Sequence, residues 1–211
     1  MPGTLFVVRH GQSTWNAEHR WAGQADPPLT DLGRRQARDL GLALLHSPAR
    51  SGGVVTSDLR RAADTGRIAA EVLGVRHRPP DARLRERRVA WSGLTSAEIE
   101  SAHPGLLDRW RGGALHDLPG PSEPWPAFVA RVLAGLRDHA RGPGTTVAVA
   151  HAGVFRVLER VCGVPHRRHG NGEGVALRLI GGELRPAPAP RHPRPGLRPP
   201  GDAARTTADT G

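Results

Sequence analysis

The organisation of the chain can be worked out from the segment TLFVVRHGQSTWN, residues 4–16. Its first part, Thr4–Val8, is apolar and rich in β-branched residues, a pattern typical of a buried strand. The strand ends in Arg9, His10 and Gly11, and the glycine allows a turn that other residues resist. In open α/β sheets, ligands bind beyond the carboxyl ends of the strands. A histidine beside an arginine at this position predicts a nucleophile next to an anion clamp.

The same pattern returns near residue 150. Thr145–Ala150, TTVAVA, predicts a buried strand of the parallel type, and it ends in His151, Ala152 and Gly153 before a helical pattern that runs to about Val161. The carboxyl ends of neighbouring parallel strands lie at one edge of a sheet. We therefore expect the two histidines to lie together at that edge, with arginines beside them.

The remaining elements predict an α/β fold, a three-layer α/β/α sandwich with a mixed, mostly parallel sheet. Helices are predicted at about 31–46, 59–73, 96–102, 104–111 and 126–140, and strands at 54–56, 75–78, 175–180 and 183–185. Ser57 or Asp58 is the predicted cap of the second of these helices. The segment 112–124 is rich in Gly and Pro, which predicts an irregular loop. We expect one domain over residues 1–185 and a disordered, Pro/Arg-rich tail over 186–211.

Composition excludes several classes of protein. The net charge is +10, but all 30 basic residues are arginine and they are spread along the chain without a basic stripe, so no specific nucleic-acid binding is expected. No apolar run is long enough to span a membrane and no secretory signal is visible, so we expect a cytoplasmic protein without a membrane partner. The single cysteine, Cys162, excludes an internal disulfide and is predicted to pack in the core.

Five segments resemble motifs of one family, in the same order. The string RHGQSTWN, residues 9–16, resembles the signature of the histidine phosphatase superfamily, in its phosphoglycerate-mutase-like branch. The segment 23–37 is similar to the family string G-x-x-D-x-P-L-T-x-x-G-x-x-Q-A. The segment 57–65 is similar to S-x-L-x-R-A-x-x-T, in which the arginine before alanine reaches the phosphate. Arg61 takes that place, with Arg60 as its nearest competitor.

The other two motifs depart from the family pattern. Glu86 falls where the family string L-R-E-x-x-x-G-x-W-x-G-L-T has its proton donor, but the segment up to Trp91 is one residue short and lacks the usual glycine. The alternative interpretation of Glu86 is a surface residue among arginines. His151 falls in an element similar to V-S-H-G-G-V-x-R, with Ala150 and Ala152 in place of serine and glycine.

The resemblance implies a phosphomonoesterase that hydrolyses a small phosphorylated metabolite through a covalent phosphohistidine. It implies catalytic roles for His10, Glu86, His151, Arg9 and Arg61, and substrate contacts from Arg9, Asn16, Gln24, Arg61 and His151. No metal-ligand spacing and no cofactor motif accompany these residues, so a metal-independent enzyme without a cofactor is expected. Mutase-type phosphoryl transfer and a non-catalytic phospho-ligand binding module are the alternatives, and a homodimer is one arrangement open to the chain.

Overall fold

The computed structural model describes residues 3–45, 51–111 and 118–188, which form a five-stranded sheet with helices on both faces. The order of the strands is β2-β3-β1-β4-β5. The first three of these run parallel, and the last two are antiparallel to their neighbours. This confirms the predicted α/β class with a mixed sheet. The strands are β1 (Thr4–Arg9), β2 (Ser51–Thr56), β3 (Thr145–Ala150), β4 (Gly174–Ile180) and β5 (Glu183–Ala187).

Seven α-helices lie within the described ranges, and a short 3-10 helix at Ala82–Leu84 follows the third of them. One group of helices covers each face of the sheet, so the described part has three layers. The helices are α1 (Thr14–Ala17), α2 (Asp31–Leu45), α3 (Arg60–Leu73), α4 (Ser96–Ala102), α5 (Leu106–Arg111), α6 (Trp125–Ala140) and α7 (Ala152–Val161).

Side-chain alternation along β1 divides the core into two parts. Leu5 and Val7 point to one face, where they join the apolar residues of α5, α6 and α7. Phe6 and Val8 point to the other face, where they pack with α2 and α3. All four side chains are at most 2% exposed. Because both faces are covered, the strand is apolar throughout, as the sequence pattern predicts.

Tryptophans dominate the layer beside α4, α5 and α6. The rings of Trp21, Trp91 and Trp110 meet edge to face, with centroids 5.9–6.4 Å apart. Trp125 packs against Phe128 at 5.7 Å. The burial of these rings anchors the segment that follows residue 84 against the helices of this layer.

The close packing of two glycines sets the turn after β1. A side chain on Gly11 would collide with the backbone of Gly33 in α2, and a side chain on Gly33 would collide with the backbone of Gln12. The turn is held by the Gly11 amide, which donates to Thr65 Oγ1 over 3.0 Å. The absence of two Cβ atoms therefore lets the turn sit directly on α2 and α3.

Three expectations about local structure are wrong. The cap of α3 is neither Ser57 nor Asp58, because the amide of Arg60 donates to Asp26 Oδ1 and Asp58 is occupied by Arg85. The expected strand at 75–78 is reduced to an isolated bridge between His77 and Val54. The last strand, expected at 183–185, continues to Ala187.

Two other expectations fall outside the described residues in whole or in part. The proposed tail lies outside them from residue 189, as does the part of the irregular loop at 112–117.

Among the helices that the structure describes, none combines the length and apolar character needed to cross a membrane.

Candidate active site

The register between β1 and β3 brings the two histidines together. Arg9 is paired with Ala150 at the end of the ladder, so His10 and His151 each come one residue after the paired ends. The amide of His10 donates to the carbonyl of Ala150 over 3.0 Å. The imidazole rings lie with their centroids 5.1 Å apart. The expected meeting of the two strand ends is therefore present.

Two hydrogen bonds define the protonation of the His10 ring. Its Nδ1 lies 2.7 Å from the carbonyl oxygen of Gly11, which can only accept, so Nδ1 carries the proton. Its Nε2 lies 3.2 Å from Arg61 Nε, which can only donate, so Nε2 presents its lone pair. Burial lowers the pKa of His10 well below its usual value of 6.5, and the positive charges of Arg61 and Arg9 lower it further. His10 is therefore a neutral imidazole with Nε2 unprotonated.

Arg61 is fixed from both sides. It is 1% exposed, and it lies in the first turn of α3. Besides its bond to His10, Nη1 donates to the carbonyl of Ala25 over 2.7 Å and Nη2 to that of Gly23 over 2.9 Å. The neighbouring Arg60 is exposed and pairs with Asp64 at 3.7 Å. Of the two competing arginines, only Arg61 lies at the strand edge beside His10.

Arg9 supplies a second guanidinium. Its Nη1 donates to the carbonyl of His169 over 2.7 Å, while its buried Nε has no partner among the described residues. An unpartnered buried N–H is costly unless a ligand accepts from it. Arg9 therefore has a donor available for an anion at this edge.

His151 is the most enclosed group of the site. It is 0% exposed, and neither ring nitrogen has a partner within the described ranges. Burial lowers its pKa well below 6.5, and the positive charges of Arg61, Arg9 and Arg131 lower it further. Like His10, it is a neutral ring with free hydrogen-bonding capacity at the sheet edge.

Glu86 reaches the same edge from the opposite side. One carboxylate oxygen accepts from the amide of Arg87 over 2.8 Å, and the other accepts from the amide of Gly153 over 2.9 Å. Gly153 lies in the first turn of α7, immediately after His151 and Ala152. A Cβ at Gly153 would overlap the Glu86 carboxylate, so glycine is what permits this approach. The surface interpretation of Glu86 is not supported by this geometry.

The two predicted amide contacts have structural partners. Asn16 forms a capping box with Ser13 at the start of α1. Gln24 Nε2 donates to the backbone carbonyl of Glu86 over 3.0 Å. Asn171, which the sequence did not reveal, donates from Nδ2 to the carbonyl of His10 over 2.8 Å and to Asn16 Oδ1 over 3.3 Å. It ties the β1 turn to the loop before β4.

Within the described ranges, no group of three or more His, Cys, Asp or Glu side chains is placed to hold a metal ion. The charged groups beside the two histidines include the guanidiniums of Arg9 and Arg61 and the carboxylate of Glu86. Guanidiniums provide fork-shaped donors, which suit the oxygens of a phosphoryl group. The arrangement is complete for binding a phosphoryl group and for proton transfer to or from it.

Lowering the pH from about 7.5 to about 5 is expected to destabilise the folded protein. His10 and His151 stay neutral when buried, whereas in the unfolded chain they bind protons below their usual pKa of 6.5. The unfolded state then binds more protons, so the free energy of unfolding falls with the pH. The pKa of Asp58, which its hydrogen bond to Arg85 lowers from 3.8, affects stability only at lower pH.

Thermal unfolding at both pH values checks this expectation. The wild-type protein should lose more of its Tm than the double variant His10→Gln, His151→Gln, which lacks both buried imidazoles. Equal losses of Tm in the two proteins would contradict it.

A buried histidine with a free Nε2, set between two guanidiniums and opposite a carboxylate, is the site of a phosphoryl-transfer enzyme that works through histidine. The α/β/α fold, with this site at the carboxyl edge of its parallel strands, agrees with that class. The chain belongs to the histidine phosphatase superfamily, branch 1, whose model matches residues 5–174.

Individual relatives agree with this membership. A glucosyl-3-phosphoglycerate phosphatase of Mycobacterium tuberculosis is 36% identical over 169 residues, which are 73% of this chain and 72% of that one. The Arabidopsis thaliana phosphoglycerate mutase-like protein 4 is 33% identical over 159 residues, 73% of this chain and 68% of that one. The chain covers 48% to 72% of the length of the curated glucosyl-3-phosphoglycerate phosphatases that it matches.

Solved structures show the same relation. A mycobacterial glucosyl-3-phosphoglycerate phosphatase in complex with VO3 superposes with a TM-score of 0.74 at 30% identity, over 87% of this chain and 95% of that one. The fold is therefore shared over nearly the whole of that protein.

Proposed function

We propose that the protein hydrolyses phosphomonoesters of small metabolites, with His10 as the nucleophile. One observation carries this proposal: the proton on Nδ1 is held by the Gly11 carbonyl, so Nε2 is unprotonated and its lone pair can attack once Arg61 Nε releases it. Because His10 is neutral, its nucleophilic form is present across the physiological range of pH.

In the first step, Nε2 of His10 attacks phosphorus and the bond from phosphorus to the leaving oxygen breaks. Arg9, Arg61 and His151 donate to the phosphoryl oxygens, which carry the developing charge. Arg61 gives up its bond to Nε2 as the phosphoryl group enters between them. Glu86, in its acid form, protonates the leaving oxygen.

In the second step, water attacks phosphorus and the bond to Nε2 breaks. The Glu86 carboxylate takes the proton of that water, and inorganic phosphate leaves with His10 neutral again. We assign Asn16 and Gln24 contacts to the substrate, as the family resemblance implies. Gln24 also holds the backbone of Glu86.

Hydrolysis is preferred here to mutase-type transfer. A mutase must keep its phosphohistidine dry until a second hydroxyl arrives, which calls for additional covering structure. Glu86 and His151 are only 65 positions apart (151 minus 86), and α4, α5 and α6 occupy much of that interval. Because little of this interval is left to cover the site, water can reach the phosphoenzyme.

A panel of phosphomonoesters, assayed for released phosphate, tests the proposal. Hydrolysis with acid-labile labelling of His10 supports it, whereas phosphate binding without turnover would indicate the binding module. Incubation with 3-phosphoglycerate and a bisphosphoglycerate primer tests the mutase alternative. Formation of 2-phosphoglycerate much faster than free phosphate would replace the phosphatase assignment.

Gly153→Ala is expected to lower kcat for an alkyl phosphate by about 10- to 100-fold, because the added methyl group displaces the Glu86 carboxylate. Gly142→Ala is the matched control, since a Cβ at Gly142 meets no atom within 4 Å. Initial rates with glycerol phosphate measure both variants. An unchanged rate in Gly153→Ala would remove Glu86 from its assigned place.

Three broader features stay predictions. A domain of residues 1–185 with a separate tail is checked by truncating the chain after residue 188, which should leave Tm and activity nearly unchanged. The cytoplasmic location is checked by cell fractionation. The homodimer is checked by sedimentation of the purified protein.

A further inference from the structure

The guanidinium of Arg131, on α6, donates hydrogen bonds to the backbone of the segment that carries Glu86. Nη1 donates to the carbonyls of Arg83 and Arg85, each over 2.8 Å. Nη2 donates to the carbonyl of Glu86 over 3.0 Å. Three backbone carbonyls at and before the carboxylate therefore converge on one side chain. The carbonyls of Arg85 and Glu86 belong to no helix or strand, so they depend on side-chain donors such as Arg131, and that of Glu86 also accepts from Gln24 Nε2.

Glu123 completes the arrangement. Its carboxylate receives Nε of Arg131 over 2.6 Å and Nη2 over 2.8 Å, a two-point pair in which both side chains are largely buried. The carbonyl of Glu123 accepts from Arg87 Nε over 2.8 Å, and its amide donates to the carbonyl of Arg88 over 2.9 Å. Glu123 and Arg131 thus hold the chain on both sides of Glu86.

The stacking of Arg131 on Phe128 makes this clamp rigid. The guanidinium carbon lies 4.8 Å from the centre of the Phe128 ring, which is fully buried one turn earlier on α6. These five hydrogen bonds use all five N–H groups of the guanidinium, so Arg131 has no donor left for a substrate. Apart from the effect of its positive charge on His151, Arg131 therefore acts through the residues that it holds.

We propose that Arg131, with Glu123, is a positioning residue for the proton donor Glu86. The segment between Glu86 and Trp91 is shorter than in the family pattern, and this pair fixes the carboxylate where the local sequence provides no glycine turn. The inference rests on the proposed function. It predicts a defect confined to the proton-transfer part of the reaction.

The test compares two substrates that differ in their need for an acid. An alkyl phosphate needs protonation of its leaving oxygen, whereas 4-nitrophenyl phosphate releases a stable phenolate. Arg131→Met should lower kcat for the alkyl ester by about 10- to 100-fold and leave KM and the aryl rate within about threefold. Glu123→Gln should act in the same direction. Arg67→Met is the matched control, since it breaks an exposed arginine–glutamate pair on α3.

A double-variant cycle decides whether the effect passes through Glu86. In a Glu86→Gln protein, adding Arg131→Met should cause little further loss, because the group that it positions is gone. Arg131→Lys provides a second variant that keeps the charge if Arg131→Met does not fold, and it should show the same selective loss in smaller measure. Equal losses on both esters, or losses that add to those of Glu86→Gln, would overturn the proposal. If the wild-type protein formed no phosphohistidine, the proposed function itself would be overturned instead.

Discussion

Replacing His10 with alanine is expected to lower kcat by at least about a thousandfold, because the covalent route then has no nucleophile. His10 is the group at this edge whose lone pair is both unprotonated and fixed by hydrogen bonds on each side. The measurement is steady-state release of phosphate from an ester that the wild type hydrolyses.

A trapping experiment tests the covalent intermediate directly. Wild-type protein quenched with alkali after brief exposure to labelled substrate should retain labelled phosphate. Acid should remove this phosphate, because phosphohistidine is acid-labile. His10→Ala should retain none. His166→Ala is the control, since this histidine is exposed and pairs with Glu159. Wild-type-like labelling of the His10 variant would rule out the proposed nucleophile.

Glu86→Gln is expected to cause the second large loss, and this loss depends on the leaving group. General acid catalysis contributes about 10²- to 10⁴-fold, so kcat/KM for an alkyl phosphate should fall within that range. With 4-nitrophenyl phosphate the loss should be much smaller, because the phenolate leaves without a proton. The glutamine side chain has nearly the same shape and can still accept one of the two backbone hydrogen bonds.

The two rates are measured on one preparation and compared as a ratio. A loss of equal size on both esters would assign the proton transfer to another group.

The fold and the histidine pair could be predicted because their information is local. Two apolar strands of the same length each end in a histidine, and parallel pairing in register then places both residues at one edge. The choice of Arg61 came from the resemblance of residues 57–65 to a family motif, and this residue lies beside His10. The features that could be predicted are therefore those in which one segment determines its own structure.

What surrounds Glu86 could not be predicted, because its partners are distant in the chain. Arg131 binds its carbonyl from 45 positions away, and the amide of Gly153 binds its carboxylate from 67 positions away. The cap of α3 has the same character, since Asp26 lies 34 positions before the amide that it accepts from. No periodicity or turn residue signals contacts of this kind, which depend on how the layers pack.

The clustered tryptophans give the protein an optical property. The chain has five tryptophans and no tyrosine, so all of its intrinsic fluorescence arises from indole. Four of the five, Trp21, Trp91, Trp110 and Trp125, contribute to one side of the core, and the Arg87 guanidinium lies over two of these rings. Emission therefore reports mainly on the layer that holds the segment around Glu86. Opening of that layer would shift the emission to longer wavelength even while α2 and α3, on the opposite face, remained packed.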